Sequence, residues 1–130
     1  MNPSMVQGQE VTLPMAASAT IAKYDVVEFS SWYLQRCTSS SAQWRKYVAL
    51  EWKTTAAGEN PEILVLPTHP TMRFEADTNA APVQATDVWV EADLTDHDTL
   101  NESASSNDVF FIEKIVWATT DKKVQWYFLA

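Results

Sequence analysis

The chain has little of what catalysis, phosphate binding or oxidative stapling require. Its 130 residues include two glycines (Gly8 and Gly58), two histidines (His69 and His97) and one cysteine, Cys37. Phosphate-cradling loops need several glycines to bring backbone amides close to the anion. Two isolated glycines therefore exclude the P-loop and dinucleotide-binding classes. A single cysteine forms no internal disulfide, which fits a reducing compartment or a fold that needs no bridges. No apolar run approaches the roughly 20 residues of a membrane-spanning helix. No basic segment followed by an apolar core opens the chain, so no secretory leader is expected.

Positive charge is also scarce. Nine basic residues face 17 acidic ones, for a net charge of −8. Residues 1–60 balance five of each sign, so residues 61–130, with four basic and twelve acidic groups, carry the whole excess. Such a surface repels phosphate backbones, and neither a nucleic-acid nor a membrane partner is expected. A hydrophobic content of 46% with 20% charged residues is that of a folded chain. The length fits one domain of about 100–150 residues.

What is abundant is strand-forming sequence. Residues 1–19 show no period and read as an extended N-terminal arm, with Val6, Val11, Leu13 and Met15 as apolar anchors. Residues 20–130 read as a single β domain. Asp25 to Phe29 is β-branched and Trp32 to Cys37 is apolar. Ser30-Ser31 between them predicts a hairpin. From Trp44 to Trp52 the residues Trp44, Val48, Leu50 and Trp52 share one parity, a period of two with one apolar face. Lys46 breaks that parity and is expected to snorkel. Ile63 to Leu66 is apolar on both parities, which predicts a central strand covered on both faces. Asp87 to Glu91 alternates, Asp108 to Ala118 and Lys122 to Leu129 form two long strands, and residues 77–86 show no pattern. The one helical candidate is Thr99 to Ala104. About eight short strands with turns between them predict an all-β chain, a compact β-barrel or β-sandwich.

The densest polar cluster is Glu91, Asp93, Asp96, His97, Asp98 and Glu102. A calcium loop would need a glycine in its turn and regular ligand spacing, and both are missing. The cluster reads as an acidic turn whose carboxylates cap backbone amides, and no metal or cofactor is expected. His97 has no partner serine or cysteine in a nucleophile context, and Cys37 reads as a small buried hydrophobe. Catalysis is not expected. Six tryptophans are the compositional excess. Trp52, Trp117 and Trp126 lie on apolar faces and are expected in the core. Trp89 shares its parity with Asp87 and Glu91, so it is either an exposed interface anchor or covered by a neighbour.

The stretch ATIAKYDVVEF, then WYLQRCTSSS, then VALEWKTTAAGENPEILVLP resembles the small head-decoration (cement) proteins of tailed bacteriophages. The later VEADLTDHDTLNESASSNDVFFIEKIV is similar to their C-terminal part. The resemblance spans roughly residues 19–118. Tyr24 departs from it, because a glycine often stands at that position. The resemblance implies a structural virion protein on the outer capsid surface, made in the host bacterial cytoplasm. It implies two partners, the major capsid protein and further copies of the chain itself, commonly as a homotrimer. The arm residues Val6, Val11, Leu13 and Met15 would then touch capsid or neighbour, and Trp89 would offer a lateral contact. Two other readings stay open. One is another virion component, such as a head–tail or tail-tube part or a minor spike. The other is a carbohydrate-binding module on the virion surface.

Overall fold

The computed structural model describes residues 10–41, 45–82, 84–101, 104, 107, 109–116 and 119–129. The chain is all-β and separates into two compact units. Unit 1 takes in Met1–Arg36 and Arg45–Thr68, and unit 2 takes in Cys37–Trp44 and His69–Ala130. Within the β region expected over residues 20–130, the two units carry separate sheets, and that of unit 2 closes into a barrel.

Unit 1 is a five-stranded antiparallel sheet of β1 (Val11–Pro14), β3 (Val26–Ser30), β4 (Tyr33–Arg36), β5 (Tyr47–Ala49) and β7 (Glu62–Pro67), in the order β1-β7-β5-β3-β4. A small second sheet pairs β2 (Thr20–Ile21) with β6 (Lys53–Thr54). The apolar run Ile63 to Leu66 lies in β7, between β1 and β5, the central place its two-sided apolarity predicts. Alternation supplies the core: Met15, Ile21, Val27, Leu34, Ala49, Ile63 and Val65 are fully buried together, with Leu13, Ala19 and Tyr47 packed at the margin.

The extended arm is corrected over its second half. Val11, Thr12, Leu13 and Pro14 pair with Val65, Leu64, Ile63 and Glu62. Met15 is fully buried; its amide donates to the Pro61 carbonyl at 2.8 Å, and it bridges in parallel to Leu34. Ala16 N–H then donates to the Leu34 carbonyl at 3.0 Å. The two edge strands of the sheet, β1 and β4, therefore meet at Met15. The physical reason is the alternation of Val11, Leu13 and Met15, which gives the segment one apolar face and a core to bury it in. Met15 and Leu13 are not free for an outside partner, and Val11 is exposed near the start of β1. Val6 lies outside the described residues.

Unit 2 is a closed barrel of β8 (Phe74–Thr78), β9 (Val90–Leu94), β10 (Thr99–Asn101), β11 (Phe110–Ile115) and β12 (Lys123–Phe128), in the order β10-β8-β12-β11-β9. The helical candidate at Thr99 is corrected: Leu100 pairs with Leu94 in β9 and with Thr78 in β8, so Thr99–Asn101 is the strand that closes the barrel. A one-turn helix, α1 (Gln84–Asp87), lies in the stretch that shows no sequence pattern. The core is aromatic. Trp126 stacks on Phe74 at 5.0 Å and packs on Phe110 at 4.7 Å and Phe128 at 4.6 Å. Such pairs add roughly 0.5–1.5 kcal/mol each beyond the area they bury.

The strand expected over Trp44 to Trp52 stops at Ala49. The chain bends at Leu50, and the Glu51 carboxylate takes the place of a backbone acceptor, receiving the Leu64 amide at 3.0 Å. That hydrogen bond comes first in holding the Glu51 carboxyl below its ordinary value of 4.5; burial opposes it, and Lys53 Nζ at 3.3 Å assists. Parity does not carry through the bend, so Trp52 is exposed rather than in the core. Lys46 is corrected too: it is fully buried, with Nζ 3.7 Å from the Glu28 carboxylate, and does not reach solvent.

Met15→Ala should destabilise the protein by about 2–5 kcal/mol, as a buried methionine truncated inside a closed core does. A denaturant midpoint unchanged by that substitution would return Met15 to a peripheral arm. The lowered carboxyl of Glu51 contributes stability above 4.5 and loses it as pH falls through the folded value. The stability gap between wild type and Glu51→Gln should therefore shrink as denaturation is repeated at successively lower pH; a gap that grows would contradict the hydrogen-bond assignment.

Candidate interaction surfaces

Seven described residues have left-handed backbone, and only one of them, Gly58, is glycine. The others are Ser18, Tyr24, Ser31, Trp32, Trp89 and Lys122. Three of those six are aromatic, and all three project into solvent: Trp32 is 87% exposed, Trp89 70% and Tyr24 64%. For a residue with a Cβ this conformation costs roughly 1–2 kcal/mol, so each turn must be held by its surroundings.

Tyr24 is held by hydrogen bonds on every side. It is the third residue of the turn Ala22–Asp25, closed by Asp25 N–H on the Ala22 carbonyl at 3.1 Å, and its φ is 73°. That is the position a type II turn gives to glycine. Tyr24 N–H donates to the Ala49 carbonyl at 2.7 Å. The buried Asp25 carboxylate accepts from Ala22 N–H at 2.8 Å and from Arg36 Nε at 2.6 Å. Tyr24 thus occupies a turn position that favours glycine.

Trp32 is at the tip of the β3–β4 hairpin. Ser30 pairs with Tyr33, so the two loop residues are Ser31 and Trp32, one position later than the Ser30-Ser31 turn expected. Both have positive φ, 53° and 78°, the sign pattern of the type I′ turn that matches strand twist. Phe29 and Tyr33 flank the tip and are exposed, and Phe29 sets its edge against Tyr47 at 5.8 Å. Trp89 is not within a strand. It follows α1 and precedes β9, with φ at 63° and its amide on the Ile112 carbonyl at 2.8 Å. Its ring leans edge-on against Phe111 at 5.7 Å. It is partly covered and largely exposed, so both alternatives left by the sequence hold in part.

The acidic turn is capped as expected. Asp96 Oδ1 accepts the amides of Asp98 and Thr99 at 3.1 and 3.0 Å, and the buried Asp93 Oδ1 accepts the Asn107 amide at 2.9 Å. Burial raises the Asp98 carboxyl above its ordinary value, and its hydrogen bond to Asp96 adds to that rise. Glu102 lies outside the described residues, as do Trp44 and Trp117. Cys37 is buried. Of the residues expected at an interface, Trp89 is the exposed aromatic among those described. Trp52 was expected in the core, Tyr24 stood out only as a departure from glycine, and Trp32 carried no expectation beyond its strand. The signal for Trp32 was present: a two-residue hairpin loop can be framed as Ser31-Trp32 as well as Ser30-Ser31, and only the former puts Ser30 opposite Tyr33.

Scans against protein-family models, curated proteins and solved structures find no match to the chain.

Folding alone does not ask for the hairpin tip's aromatic. Replacing Ser31-Trp32 with Asn-Gly, the pair best suited to a type I′ turn, should leave stability equal or raise it by up to about 1 kcal/mol. Thermal unfolding of the double variant checks this, and a clear loss of stability would give Trp32 a folding role instead.

Proposed function

We propose that this chain is a structural virion protein, a head-decoration or cement protein that binds the outer surface of an assembled, expanded phage capsid. It acts without making or breaking covalent bonds. The observation that carries the reading is the set of exposed aromatic side chains held at strained turn positions, which is the surface of a binding protein. The sequence resemblance over residues 19–118 supplies the partner, the major capsid protein, with further copies of the chain as neighbours in a trimer. The distribution of charge suits a shell-bound role. Unit 1 has five basic and six acidic residues, whereas unit 2 has four basic and eleven acidic, a face that repels nucleic acid.

Stabilisation would come from linkage. A ligand that binds only the expanded lattice stabilises it by RT ln(1 + [L]/Kd), about 2.7 kcal/mol per site at a hundredfold excess. Bridging from several footholds adds effective concentration. Of the segment expected as an arm, Val11–Pro14 form β1 and Met15 is in the core, while Val6 lies outside the described residues. Deletion through residue 17 would remove β1 and with it the core residue Met15.

Purified protein should rebind capsids stripped of their decoration and raise their disruption temperature. Absence of binding to expanded capsids, or location of the protein inside the particle, would refute the reading. Binding to an arrayed glycan in place of capsid would favour the carbohydrate module, for which Trp89 and the acidic unit 2 are the available surface.

A further inference from the structure

Every charged side chain is absent from the β3–β4 hairpin tip. Between Glu28 and Arg36 the chain reads Phe29, Ser30, Ser31, Trp32, Tyr33, Leu34 and Gln35. Leu34 turns into the core, and Phe29, Trp32 and Tyr33 are exposed. Among the described residues Trp32 makes no ring contact, whereas Trp89 leans on Phe111. Trp32 is the most exposed large apolar side chain described, and it is held out by a two-residue loop with left-handed backbone at both positions.

We infer that this hairpin tip is the docking element of unit 1, and that it seats Trp32 in an uncharged apolar socket of the major capsid protein, with Phe29 and Tyr33 on the rim. The inference rests on the capsid reading above and names the surface that carries it out. Three features select a protein socket. A glycan platform pairs its aromatic ring with carboxylates or amides that hold sugar hydroxyls, and residues 29–34 contain neither; the nearest, Glu28 and Gln35, pair with one another across the strands below the Phe29–Leu34 pair. An anionic membrane would require basic residues around the ring, and the same segment has none in a chain of net charge −8. A second copy of the chain offers a poor seat in the unit 2 cavity lined by Glu75, Asp77, Asp121, Lys123 and Val116, because an indole entering it would have to desolvate ionisable groups on four of the five. A charge-free aromatic knob is matched by desolvated apolar surface, where tryptophan anchors concentrate binding energy.

The test compares wild type, Trp32→Ala, Trp32→Gly and Trp89→Ala for binding to stripped, expanded capsids, with thermal unfolding of each variant as a control. Loss of the Trp32 ring should weaken binding about 30-fold or more, the size of a hot-spot truncation. Trp32→Gly suits the left-handed backbone, so its effect on binding is free of turn strain. On the capsid, Trp32 should also be protected from oxidative footprinting. Wild-type binding with full affinity retained by both Trp32 variants would overturn the inference and leave the capsid reading standing. Failure of the wild type to bind would remove both. Trp32-dependent binding to glycans or lipid vesicles would overturn the protein socket.

Discussion

Met15 occupies the place where the two edge strands of unit 1 meet, and most of what unit 1 presents to the outside is a consequence. Its amide is taken by Pro61, its carbonyl by Asn60 Nδ2 at 3.0 Å, and its side chain by the core. Once β1 and β4 touch there, the interior is a small closed space filled by methionine, isoleucine, valine, leucine and alanine. Aromatic rings have no place within it. All six aromatic residues of unit 1 lie at its margin or outside: Tyr47 is half-buried, and Tyr24, Phe29, Trp32, Tyr33 and Trp52 are exposed. Unit 2 solves the same problem differently. Its barrel stacks Phe74, Phe110, Trp126 and Phe128 inside, and Trp89 is the one large apolar side chain it exposes among the described residues.

Short strands joined by tight turns need left-handed residues, and glycine normally supplies them. This chain has too few. The vacancies are filled by serine, lysine, tyrosine and tryptophan, each with a Cβ penalty that neighbouring hydrogen bonds offset. At Tyr24 those bonds are visible one by one, from Asp25, Arg36 and Ala49. The rings placed at such sites gain little from burial, because they are largely in solvent: Tyr24 meets Lys23, Trp89 leans on Phe111, and Trp32 is the most exposed of the three. The glycine scarcity visible in the sequence is therefore the same constraint that puts aromatic residues at exposed turns.

The all-β class was legible in the sequence because alternation and β-branched residues report strands directly, and β7 and β12 fall where their patterns put them. The misreadings share one cause: parity was extended across a break. Trp52 was assigned inward by continuing the period of Val48 through a bend that Glu51 creates with its own side chain. Trp89 was read as a strand residue, although a left-handed turn separates it from Val90. Thr99 to Asn101 is too short to show alternation, and its strand character is set by partners on both sides. Residues 11–15 looked like part of a tail because their apolar positions number only three, yet three suffice when β7 is waiting to pair. The division into two units was invisible, since unit 1 is built from two segments separated by a stretch that belongs to unit 2.

A two-residue hairpin loop and a free arm represent opposite ways to hold a partner. An arm orders on contact and loses conformational entropy then, about 1–2 kcal/mol for each residue fixed. A type I′ turn clamped by the Ser30–Tyr33 pair has met that cost during folding, so its apex residue reaches the partner already oriented. What remains to be ordered at Trp32 is one side chain, at roughly 0.5–1.5 kcal/mol. The strain held at Ser31 and Trp32 is the complement of this economy. It is accepted once, in the monomer, so that little is lost at the moment of binding. Rigid presentation also fixes geometry, which on the proposed capsid reading would suit contact with subunits at a set spacing better than a flexible tether does.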